Sequence, residues 1–516
     1  MRLARWLSRL ASHSQDDAER DVGGLLRRAF ELHNAGEHAA AQDCYRRVLA
    51  QDPEREEARR NLANLLALQG VAQQERGELD AAVESYLEAL ALSPGQAQVH
   101  NNLGNTYRAL GRGGEAVACF RDALELDPAQ PEAHLNLGIA LHQEGARKEA
   151  AEHYEAALAA RPDFAEASLN LGYLLEQEGD WRGAAARYRQ SIAARPDDAG
   201  AHFNLALNLL AGGDFAAGWR EYEWRLRLPA LAPHWPFQGR PRWNGEALDG
   251  RTILLYTEQG FGDALQFVRF APLVAARGGR VLLACQPKLR QLFAAIPGVS
   301  GVVSGDDPTP PFDVCCSLLS LPRVLGTSVD SIPAEVPYLR ADPARARYWH
   351  AALAADPYVL KAGLFWATES RTSISLLRSM TLQMLAPLAQ AAGVGFYSLQ
   401  RGKAAREAER PPQGLKLVDL GNALADFSDD AALMANLDLV ISIDSATAHL
   451  AGALGRPVWT LLAYPSEWRW LRERDDSPWY PGMRLFRQKR AGEWEPVVKE
   501  MAAALSERAG RRRPAA

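Results

Sequence analysis

Residues Asp438–Val458 read DLVISIDSATAHLAGALGRPV. The run Leu439–Ile443 is short and almost wholly apolar, the pattern of a strand buried on both faces of a parallel sheet. Asp444 ends it. An Ala- and Leu-rich helix follows at once and stops at Gly455, with Pro457 beyond. A strand needs no charge at its end, but a strand-to-helix junction offers amides. The free N–H groups of Ser445, Ala446 and Thr447 project from the helix start, and with the positive end of the helix dipole they form an anion site. The hydroxyls of Ser445 and Thr447 add donors, and a diphosphate fits there. Phosphate would repel Asp444, so its natural partners are sugar hydroxyls. His449, one turn on, would donate to phosphate or brace the loop. The plain alternative is that Asp444 or Ser445 caps the helix and His449 is packing.

Strands of the same kind recur on both sides of this stretch. TILLYTE, RVLLACQ, VSGVVSG and VCCSLLS come first; KAGLFW, VGFYSLQ, LKLVDLG, DLVISID and PVWTLLA follow a break near ADPARARYWHAALAADP. Apolar strands alternating with helical stretches indicate two doubly wound domains facing a cleft. Ligands of such sheets sit beyond the carboxyl ends of the strands. The first strand ends in EQGFGD, so Gly260 and Gly262 allow close backbone approach and Asp263 opens a helix. Taken alone, Asp263 reads as a helix N-cap. QGFGD lacks the third glycine of the dinucleotide fingerprint.

The first half obeys another rule. Pro94, Pro128, Pro162 and Pro196 stand 34 residues apart. Small residues and aromatics recur in phase between them: Gly104, Gly138 and Gly172 in the first halves, and Ala116 with Phe120, Ala150 with Tyr154 and Ala184 with Tyr188 in the second. This period resembles the tetratricopeptide repeat (TPR), with about six units over roughly 22–228. Helix pairs of that kind stack into a solenoid with a groove. Asn102, Asn136, Asn170 and Asn204 lie one period apart. Asn is a weak helix former, so its recurrence needs a reason; side-chain amides pairing with the backbone of an extended peptide would be one, and packing within the repeats is the other.

With 516 residues, 47% hydrophobic and a net charge of −5, the chain has mass for about three domains and no basic balance for nucleic acid. Its five cysteines lack C-x-x-C spacing and indicate a reducing, cytoplasmic setting. No run approaches the roughly 20 apolar residues of a membrane span. The first helix, with Leu3, Trp6, Leu7 and Leu10, is the place open to peripheral membrane contact, though capping the repeats is its simpler role.

The segments EQGFGDALQFVRFAPLV, SLQRG, DLVISIDSATAHLAGALGRPVWTLL and WRWLRERDDSPWYPGMRLFRQ together resemble bacterial TPR glycosyltransferases, whose catalytic half is similar to glycosyltransferase family 9, the lipopolysaccharide heptosyltransferases. The resemblance covers about 240–505. It implies an α/β GT-B fold of two Rossmann-like domains behind an all-α TPR solenoid. It also implies inverting, metal-independent transfer of a hexosyl or heptosyl group from a nucleotide-diphosphate sugar, with no cofactor. By the same resemblance Asp263 is the general base, Asp444, Ser445 and His449 meet the donor, and Gln400 contacts the nucleoside. No D-x-D occurs. The loop ATESRTSISLLRSMTL departs from the family's polar pattern, leaving Arg371 or Arg378 as the cation and Ser379 beside it. The expected divisions are a capping helix 1–21, the solenoid 22–228, a linker 229–250, an acceptor-side domain 251–345, a donor-side domain 346–490, and a C-terminal helix with basic tail 491–516. The expected acceptor is a protein or peptide held by the repeats; an adaptor with an inactive transferase domain, or a glycan-assembly enzyme, is the alternative.

Overall fold

The computed structural model describes residues 21–231, 239–305, 307–369 and 373–512. The expected capping helix up to residue 20, part of the linker, Arg371 and the end of the basic tail lie outside them. The chain divides into two compact units between Asp197 and Asp198.

The first unit is five antiparallel helix pairs: α1 (Val22–Asn34) with α2 (His38–Gln51), α3 (Glu56–Glu75) with α4 (Leu79–Leu92), α5 (Ala97–Ala109) with α6 (Gly113–Leu126), α7 (Pro131–Gln143) with α8 (Arg147–Ala160), and α9 (Ala165–Gln177) with α10 (Trp181–Ala194). Glycine permits the pairing. A Cβ added at Gly70, Gly104, Gly138 or Gly172 would stand 2.6–2.7 Å from a ring carbon of Tyr86, Phe120, Tyr154 or Tyr188. Each ring is fully buried. A second set of glycines, among them Gly111 and Gly145, ends the first helices at positive φ, where other residues are strained. Helix α3 has 20 residues where α5 has 13. The extra length, about two turns, precedes Gly70, so the Gly70–Tyr86 contact keeps its phase.

The second unit opens with α11 (Ala199–Ala211) and α12 (Phe215–Tyr222), then a 3₁₀ turn at Glu223–Arg227. The sixth pair, expected to close the solenoid at 228, thus falls in this unit. Two parallel sheets follow. The first has order β3-β2-β1-β4, with β1 Thr252–Tyr256, β2 Arg280–Cys285, β3 Val299–Ser304 and β4 Val314–Ser317. The second has order β10-β9-β8-β5-β6-β7, with β5 Leu360–Phe365, β6 Val394–Ser398, β7 Leu417–Asp419, β8 Leu439–Ile443, β9 Val458–Leu462 and β10 Met483–Arg487. Counted from its own first strand, the second sheet has the full doubly wound order. Strand β10 was not anticipated. One apolar core runs from α11–α12 through the first sheet to one face of the second, and the last helix, Trp494–Arg512, covers the other face.

Candidate functional site

The site grows from two strand-to-helix junctions. Strand β1 passes through Thr257–Gly260 into α13 (Phe261–Phe267), and β8 passes through Asp444 and Ser445 into α14 (Ala446–Ala453). The helix starts meet: a Cβ on Gly262 would lie 3.1 Å from His449 Cδ2 and 3.8 Å from Ala446 Cα. Gly262 is therefore the close-approach glycine. Gly260 has ordinary backbone angles, and the positive φ in this loop belongs to Gln259.

Neither capping alternative holds at α14. The Ser445 hydroxyl makes no cap bond and turns back to Ser442 Oγ at 2.9 Å. Asp444 is engaged instead with Arg378, at 3.2 Å. Ser445, Ala446 and Thr447 are half-buried, and among the described residues nothing accepts from their amides. The junction thus presents uncapped N–H groups beside a carboxylate. Burial first, then the charge of Glu467, pushes the Asp444 carboxyl above its ordinary range, against the pull of Arg378.

Asp263 is not an N-cap. Its Oδ2 accepts from Gly260 N at 3.0 Å and its Oδ1 from Arg469. Arg469 also donates to Glu467, and through Nε to Gln266 Oε1 at 2.8 Å. Burial raises the Asp263 carboxyl above its ordinary value, with Arg469 opposing the rise. His449 is buried, stacks on Trp470 with centroids 5.2 Å apart, and meets Tyr480 Oη through Nδ1 at 2.9 Å. Burial and nearby arginines hold it well below the usual imidazole range, so it is neutral. Tyr338 donates its proton to Leu265 O and stands 3.5 Å from Tyr480 Oη. The shorter bond takes the Tyr480 proton to Nδ1, which assigns the His449 proton to Nε2.

Gln400 differs from the expectation. Its Oε1 accepts from Trp366 N and Ala367 N, and its Nε2 donates to Ala367 O and Arg401 O. All four valences tie the loops after β5 and β6 together, so a nucleoside contact through this side chain would break one of them. Ser379 likewise braces the loop after β5, its Oγ accepting from Thr368 N at 3.1 Å. Trp459, Trp468, Trp470, Trp479 and Trp494 are all core residues. In the repeats, Asn102 accepts from Gln98, Asn136 donates to Asn101, and Asn170 donates to the Glu166 carbonyl, each using one end of its amide. Asn204, in the second unit, is half-buried.

Four non-glycine residues among those described have positive φ: Asp249, Gln259, Leu471 and Glu473. Three of them flank the Asp263–Arg469 contact. Such strain costs about 1–3 kcal/mol per residue and concentrates at functional sites. Sequence reasoning did not single out Arg469, Glu467, Gln266 or Tyr480; the Arg- and Trp-rich stretch WRWLRERDD was the available signal.

Known proteins bear on this geometry. Residues 389–491 match glycosyltransferase family 9 (heptosyltransferase), and 74–111, 104–145, 146–181 and 169–222 match tetratricopeptide repeats. TPR repeats and a family 9 glycosyltransferase domain share this chain. Protein FlbA of Caulobacter vibrioides is 32% identical over 316 residues, 56% of this chain and 52% of FlbA. The chain spans about half the length of that curated relative. Among solved structures, YrrB, a TPR protein with an unusual peptide-binding site, is 20% identical over 37% of this chain and 94% of its own, with TM-score 0.30. MamA from Desulfovibrio magneticus is 20% identical over 32% and 92%, with TM-score 0.29. Among the described residues no three His, Cys, Asp or Glu converge to hold a metal ion, and no helix is long and apolar enough to cross a membrane.

Proposed function

We propose that the second unit is a GT-B glycosyltransferase that moves a sugar from a nucleotide diphosphate donor, with inversion and without a metal, to a protein or peptide acceptor brought by the repeats. The observation that carries the reading is the pair of facing junctions, with uncapped amides at Ser445–Thr447 on one and a carboxylate, Asp263, on the other. Asp263 takes the acceptor proton as the nucleophile attacks the anomeric carbon; burial raises its proton affinity above that of an ordinary carboxylate, which favours that transfer. The amides of Ser445, Ala446 and Thr447 stabilise charge growing on the departing diphosphate. The His449 Nε2–H is a neutral donor beside them. Asp444, with Arg378, orients the sugar.

The test is a thermal-shift panel of nucleoside diphosphates and nucleotide sugars on the full chain. A true ligand at 100 times its Kd stabilises by about 2.7 kcal/mol. The shift is expected for wild type and is lost in Ala446→Pro, which removes one amide at the first helical position, where proline fits the backbone and Ser445 before it is already extended. No shift with any diphosphate sinks the reading. One observation favours the adaptor reading instead: Arg378 is already neutralised by Asp444, and Leu376 and Leu377 beside it are exposed. A panel without a hit would select that reading.

A further inference from the structure

The helix pair α11–α12 reaches the candidate site from behind at two separate places. On α12, Trp219 packs edge-on against Trp468 with centroids 5.3 Å apart, and Tyr222 lies 5.9 Å from the same ring. All three are buried. The residue that follows Trp468 in the chain, Arg469, lays its guanidinium over the Trp468 ring at 4.5 Å and pairs with Asp263. The second place is Arg225, in the 3₁₀ turn after α12. It has no exposed surface, pairs with the equally buried Glu258 at 2.6 Å and donates to Ser320 Oγ at 2.9 Å. Glu258 directly precedes Gln259, the strained residue at the root of the Asp263 loop.

Strained backbone persists only where its surroundings over-determine it. Here both strained loops, Gln259 on one side and Leu471 with Glu473 on the other, are gripped by the same helix pair together with the 3₁₀ turn that follows it. Arg472, between the latter two, adds a third hold by donating to Asn208 O on α11 at 3.0 Å. A buried Arg–Glu pair also constrains direction, because misplacing either partner leaves the other buried and unpaired.

We infer that Trp219 and Arg225 are positioning residues for Asp263, Trp219 acting through Trp468 and Arg469 and Arg225 through Glu258, so that α11–α12 is a component of the transferase unit. This rests on the reading of Asp263 as the base. Hydrogen exchange on the full chain tests the structural half without any substrate. In Trp219→Leu, peptides covering 259–267 and 466–473 should exchange about tenfold faster while those from 97–194 are unchanged, and Trp219→Phe should restore protection. Unchanged protection in the two segments, or a loss spread evenly over the second unit, overturns the inference. With a donor that shifts melting, Trp219→Leu should lower kcat about 10- to 100-fold, leave the donor KM unchanged and move the acid limb of the pH profile, with Trp219→Phe rescuing both. A loss confined to KM, or an unmoved acid limb, overturns it too. If wild type transfers from no donor, the assignment of Asp263 as base falls, and the exchange measurement alone decides whether the helix pair holds the loops.

Discussion

Replacing Arg469 by Met separates charge from packing at the site. Arg469 is 7% exposed and Asp263 is 17% exposed at the side chain. Breaking a buried pair by removing one partner costs about 3–5 kcal/mol, because an unpaired charge stays behind. The cost must depend on pH. Burial already raises the Asp263 carboxyl and Arg469 opposes that rise, so removing Arg469 raises it further. A carboxyl that binds its proton more tightly folded than unfolded costs nothing while both states are protonated. The cost grows once pH passes the value at which the unfolded chain ionises, near 4, and levels off once the folded carboxyl ionises too. The full penalty therefore belongs to the neutral end of the range. In a unit of this size it lowers the melting temperature by about 5–8 °C. Calorimetry of wild type and variant at steps from pH 4 to pH 8 should show a gap that is smallest at the acid end, where only the Gln266 bond and packing are lost, and that widens towards neutrality. A gap of equal size at every pH would mean that Arg469 contributes packing and its Gln266 bond but no charge, and the electrostatic account of Asp263 would be refuted.

Asp263→Asn should lower kcat for sugar transfer about 10²- to 10⁴-fold with little change in donor KM; a variant as fast as wild type removes Asp263 from the chemistry. Gly138→Ala places a Cβ 2.6 Å from Tyr154 Cε1 and should destabilise by about 1–3 kcal/mol in denaturant titration, and a neutral result would show that the ring can retreat. Tyr480→Phe leaves His449 Nδ1 buried without its partner and should cost about 1–3 kcal/mol by the same measurement; no loss would show that this bond contributes nothing to stability.

The fold was legible because two periodicities write it directly. The 34-residue spacing of prolines, glycines and aromatics marked out the helix pairs, since each landmark has one steric job repeated in each unit. Nearly continuous apolar runs marked nine of the ten strands. The tenth, MRLFR in Met483–Arg487, escaped because its polar residues interrupt the run and it lies at the sheet edge, where one side needs no covering strand. The allegiance of α11–α12 was not legible at all. In the sequence its landmarks continue the repeat, with Ala206 and Tyr222 in register, and nothing local shows that Trp219 finds Trp468 or that Arg225 finds Glu258.

The same division between local and distant runs through the site. Ser445–Thr447 could be read as an amide cradle because an N-terminus is made by its own residues. What the sequence could not supply was the fate of each polar side chain, which is decided by partners remote in the chain. Gln400 commits its amide to Trp366, Ala367 and Arg401, Arg378 pairs its charge with Asp444, and Asp263 gives one oxygen to Arg469. Gln400 follows β6, Asp263 opens the helix after β1 and Arg378 stands between β5 and β6; in each case residue type alone suggested a ligand contact. Burial turns that suggestion around. A polar side chain taken out of water must find a partner inside the protein before it can wait for one outside. The atoms left over after that pairing are backbone amides and the assigned His449 Nε2–H, neutral donors suited to an anionic leaving group, and they are held in place by loops whose strain the neighbouring helices contain.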